Sequence, residues 1–82
     1  MDTREQIKAV RNAIKKIAPT VSVRRGRGTA RGWIEITGSA DSHGAFTETE
    51  RESLKQIGLV PGGNLCLISP DERRYWAEKL SA

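Results

Sequence analysis

Acidic residues are missing from the whole stretch between Glu5 and Glu35, although Lys8, Arg11, Lys15, Lys16, Arg24, Arg25, Arg27 and Arg31 all stand inside it. Residues 1–34 hold nine Lys/Arg against Asp2 and Glu5, whereas residues 35–82 hold five against eight acids. The net charge of +4 therefore conceals a half at +7 joined to a half at −3. A field of one sign, with no acids interspersed, acts on polyanions far more strongly than the same cations distributed among carboxylates.

Other scarcities exclude whole classes. Cys66 is the single cysteine and His43 the single histidine, so an internal disulfide is impossible and a structural zinc site has too few nitrogen and sulfur ligands. No apolar run approaches the roughly 20 residues needed to cross a bilayer, and Met1-Asp2-Thr3-Arg4-Glu5 lacks the apolar stretch of a secretion signal. The expected location is therefore soluble and cytoplasmic. Nothing repeats at a fixed period, and no low-complexity block is long enough to make a disordered tail. Eighty-two residues have room for a single domain with one modest core, held by packing alone.

Periodicity divides the chain into six elements. Thr3 and Gln6 form a capping-box pattern ahead of Ile7, Val10, Ile14 and Ile17, whose spacings of three and four predict a helix over about residues 4–17 that stops before Pro19. At about 100° per residue, Arg4, Lys8, Arg11 and Lys15 make a second, cationic stripe beside the apolar one. The period then falls to two: Val21 and Val23 alternate with Ser22 and Arg24, and Ile34 and Ile36 with Trp33 and Glu35, which predicts two paired strands joined by a turn at Gly26-Arg27-Gly28-Thr29. Residues 38–44 read as an exposed loop of turn formers. Thr47 and Glu50 form another capping box, opening a short helix over about 48–57 that ends at Gly58. Leu65-Cys66-Leu67-Ile68 is a wholly apolar strand, expected in the middle of the sheet or covered on both sides, since a half-exposed strand would alternate. Ser69, Pro70 and Glu72 occupy the N-cap, first and third positions of a last helix. The predicted fold class is α+β, in the order α-β-β-α-β-α, with about three strands covered by helices.

The segment from Arg24 to Trp33 carries the strongest chemical pattern. Arg24, Arg25, Arg27 and Arg31 alternate with Gly26, Gly28 and Gly32. Glycine permits close backbone approach, and the arginine fork matches phosphate oxygens and stacks on bases. Trp33 is opposite in parity to Ile34 and Ile36, which puts it off the core face, where an indole makes a stacking platform for an unpaired base. The alternatives are a solvated edge hairpin, with positive charge discouraging edge association, and an indole packed under a helix. Recognised modules do not fit: there is no aromatic pair on a central strand, no glycine clamp between helices, no zinc-finger spacing and no helix-turn-helix core.

The remaining constellations are structural in character. Asp41 and His43 share a loop with no nucleophile fixed nearby, and Cys66 in an apolar strand behaves as a small hydrophobe. Glu48 and Glu50 suit a helix start, and Asp71, Glu72, Arg73 and Arg74 read as a solvated one. Of the adjacent Tyr75 and Trp76, Trp76 aligns with Leu80 and is expected in the core, with Tyr75 at its edge.

Pro19-Thr20-Val21-Ser22-Val23-Arg24 followed by Gly32-Trp33-Ile34-Glu35-Ile36 resembles small uncharacterised α+β accessory modules of phage and mobile-element proteins, over about residues 7–37. The resemblance implies a fold and no activity, and it departs after Thr37. Together these observations point to a non-enzymatic module without cofactor or metal, whose nucleic-acid-binding residues are Lys8, Arg11, Lys15, Arg24, Arg25, Arg27, Arg31 and Trp33, the partner being RNA or DNA. The alternative is an accessory subunit whose same cations meet an acidic protein, with Tyr75 or Trp33 as anchor.

Overall fold

A computed structural model describes residues 2–26 and 32–81. The chain forms helix α1 (Thr3–Ile17), strands β1 (Ser22–Arg25) and β2 (Ile34–Thr37), helix α2 (Glu48–Gln56), strand β3 (Cys66–Ile68) and helix α3 (Pro70–Ser81). This is the predicted α-β-β-α-β-α order of an α+β domain. The turn predicted at Gly26-Arg27-Gly28-Thr29 lies, apart from Gly26, outside the described residues.

Capping explains most of the boundaries. At α2, Thr47 Oγ1 accepts from the Glu50 amide and the Glu50 carboxylate accepts from the Thr47 amide, which is the reciprocal box its spacing predicts. At α3, Ser69 Oγ accepts from the Glu72 amide at 3.3 Å. At α1 the cap differs from the expected Thr3: Asp2 Oδ1 accepts from the Glu5 amide at 2.8 Å, and Thr3 is already helical. A carboxylate at the N-cap satisfies an orphan amide and also faces the positive end of the helix dipole, so it is a strong competitor for the cap.

The strands form one antiparallel sheet in the order β1-β2-β3, with Val23 opposite Ile36 and Ile36 opposite Cys66. The central strand is thus β2, and β3 is an edge, which corrects the expectation for residues 65–68. Cys66 and Ile68 are buried, but Leu67 is 46 % exposed. The uninterrupted apolar run misleads because its outward leucine lies on an uncovered face rather than under a second layer.

Val10, Ile14, Val23, Ile34, Ile36, Leu54, Ile68 and Trp76 belong to one core between the inward face of the sheet and the helices. Trp76 is buried and Tyr75 is exposed, as their divergence on α3 predicts. Helix α1 packs on α3 and β1. The shortest dimension of the molecule is 17 Å, enough for one helical layer on one sheet. Among the described residues no helix covers the outward face, which carries Arg24, Glu35, Thr37 and Leu67.

Candidate functional site

Helix α1 and strand β1 meet along a shallow groove of about 420 Å³ lined by Arg11, Asn12, Lys15, Ser22, Val23 and Arg24. Each side contributes cations for a local reason. The 3.6-residue period that turns Val10 and Ile14 into the core turns Arg11 and Lys15 toward β1. On β1, alternation buries Val23 and leaves Arg24 exposed. Among the described residues no carboxylate lines the groove.

The groove edge also bears backbone groups. The Gly26 amide donates to the Trp33 carbonyl at 2.9 Å, continuing the register in which Arg24 faces Glu35 and Ser22 faces Thr37. These are hydrogen-bonded pairs, so antiparallel alternation points the peptide groups of Val23 and Arg25 away from β2, to the free edge of the sheet. Lys15 Nζ donates to the Val21 carbonyl at 2.9 Å, which ties its ammonium to that edge.

The sequence-predicted site residues are only partly gathered. Arg11, Lys15 and Arg24 share the groove. Lys8 is exposed on the same helix and Arg25 is exposed at the end of β1, but neither lines it. Arg27 and Arg31 lie outside the described residues. Trp33 is half-buried and in ladder register, hence on the outward face with Glu35. Lys8, Arg11, Arg24 and Arg25 make no ion pair or side-chain hydrogen bond among the described residues. Most cations of the acidic half are engaged internally: Arg51 donates to the Pro61 carbonyl, Lys79 to that of Ile57, and Arg74 pairs with Glu78.

Two polar centres were not legible as such in the sequence. Arg73, expected in solvent, is half-buried and donates to Gln6 Oε1 at 2.8 Å, the Gly32 carbonyl at 2.6 Å and Thr3 Oγ1 at 3.2 Å. It fastens α3 to the start of α1 and to the chain entering β2, where Gly32 has φ +92°. Glu50 is 2 % exposed and makes no ion pair among the described residues; its carboxylate accepts from Thr20 Oγ1, the Ser39 amide and hydroxyl, and the Thr47 amide. Burial alone would raise its pKa, but these bonds prevail and lower it from 4.5 to about 2. The capping-box spacing signals the Thr47 contact; nothing local signals Thr20 or Ser39.

The weaker candidates resolve into structure. Asp41 Oδ1 accepts from the backbone amides of His43 and Ala45, so it shapes its loop instead of orienting the imidazole. Cys66 is buried, and burial, aided by the charge of Glu72, pushes its thiol pKa up. Scans of family models and searches of curated proteins and solved structures find no match to this chain.

Proposed function

We propose that this domain binds nucleic acid through phosphates, using the groove between α1 and β1. The observation that carries the reading is the convergence of Arg11, Lys15 and Arg24 from two elements on a groove that no carboxylate lines among the described residues. Unpaired arginine forks are free to make charge-assisted contacts with phosphate oxygens. The outward amides of Val23 and Arg25 add neutral donors along the same edge. Lys8 and Arg25 extend the positive field beyond it. The site offers position and charge, so the expected activity is binding and not catalysis.

Titration with a labelled ten-nucleotide strand at low salt, followed by amide shifts, tests the reading. Shifts should concentrate on residues 8–15 and 22–25. Heparin, as a nonspecific polyanion, should give weaker or different shifts. No oligonucleotide binding at low salt refutes the proposal, and selective binding of an acidic protein in its place would favour the accessory-subunit alternative.

A further inference from the structure

The outward face of the sheet has a shape of its own. A hollow of about 320 Å³ lies against it, lined by Ser22, Arg24 and Thr37 from the strands and by the 41–44 loop, which brings His43 to its rim. Its volume is in the range of small-ligand sites. Ser22 and Arg24 line both this hollow and the α1–β1 groove, so the two adjoin along β1. Farther along β2 on the same face stands Trp33, four residues from Thr37 and hence about 13 Å away at strand spacing.

We infer that this face receives the bases of a single-stranded segment whose phosphates occupy the groove, an inference that rests on the nucleic-acid reading above. One base enters the hollow, where the hydroxyls of Ser22 and Thr37 and the imidazole of His43 offer donors and acceptors to a base edge. Another lies against the Trp33 indole. Glu35 stands between them on the central strand, and its side chain makes no ion pair or hydrogen bond among the described residues. A carboxylate there repels phosphate and accepts from base amino groups, which keeps the backbone at β1 and the bases over β2. Asp41, the acid that lines the hollow, is turned to the backbone of its own loop. Exposed Leu67 continues the face as apolar surface. A duplex hides the base faces this surface would touch, so the occupant is a single strand.

Fluorescence anisotropy with the labelled ten-nucleotide strand, the same sequence as a duplex, and heparin decides it. The single strand should bind more tightly than the duplex at equal salt. Trp33→Ala should weaken single-strand binding at least about fivefold while leaving heparin binding within about twofold. Removing a half-buried indole also disturbs packing, so two further readouts stand beside it. The exposed His43→Ala variant should weaken the single strand selectively, and the wild-type Trp33 indole N–H resonance should shift with the single strand but not with heparin. Equal affinity for strand and duplex, with an unmoved indole and no effect of His43→Ala, overturns the inference; if Arg11→Ala with Arg24→Ala still weakens binding, the groove proposal survives. Absence of any oligonucleotide binding overturns both.

Discussion

Glu50 shows how a single side chain joins separate parts of the chain. Its carboxylate holds the N-terminus of α2, the loop at Ser39 and the α1–β1 connection at Thr20. Because its pKa falls from 4.5 to about 2 on folding, the unfolded chain binds the proton more tightly. The stabilisation is therefore complete above pH 4.5 and is lost as pH drops toward 2, to a total on the order of 3 kcal/mol. Urea denaturation at pH 6 and pH 3 should show wild type losing about 2 kcal/mol more than Glu50→Gln across that interval; parallel losses would mean the carboxylate is not held ionised. Arg73 acts similarly at the start of α1, and Arg73→Ala should cost about 1.5–3 kcal/mol in the same assay. Arg73→Lys should recover little, since an ammonium lacks the fork that reaches three acceptors. The spacing of Thr47 and Glu50 exposed half of the Glu50 role. The rest of it, and all of the Arg73 role, join residues far apart in sequence, which no local pattern encodes.

At the scale of elements, caps and periodicity made all three helices and three strands legible, because each start is written in a few adjacent residues. Strand placement was less legible. Leu65-Cys66-Leu67-Ile68 fits a central strand by composition, yet β3 is an edge whose Leu67 faces outward. Two neighbouring substitutions should separate these cases: Ile68→Ala should cost about 2–5 kcal/mol and Leu67→Lys less than about 0.5 kcal/mol, as read from urea midpoints. A comparable loss at Leu67 would place it under a second layer. The 38–46 loop is more ordered than its Gly/Ser composition suggests. The Gly38 amide donates to the Gly44 carbonyl at 2.7 Å, and the returning chain passes so close that a Cβ on Gly38 would meet the Ala45 carbonyl oxygen and the Phe46 Cα, each at 2.4 Å. Gly38→Ala should therefore destabilise by about 1–3 kcal/mol through backbone displacement, and should also disturb the hollow beside His43.

Across the whole molecule, the uneven charge of the sequence becomes a surface. The acid-free stretch supplies β1 and most of α1, which fold side by side and leave Arg11 and Arg24 without side-chain partners among the described residues, while the acidic half neutralises or internally bonds most of its own cations. The cationic residues were legible from charge pattern alone. Their convergence was not, because it depends on β1 being the strand beside α1, and Arg24's double position in groove and hollow depends on strand register. Salt dependence tests the central claim most directly. For the ten-nucleotide single strand, log affinity against log salt should fall linearly at about −0.7 per phosphate engaged, and replacing Arg11 and Arg24 together by Ala should flatten the slope by about 1.4. A wild-type slope near zero, or identical slopes for the two proteins, would contradict phosphate binding in the groove.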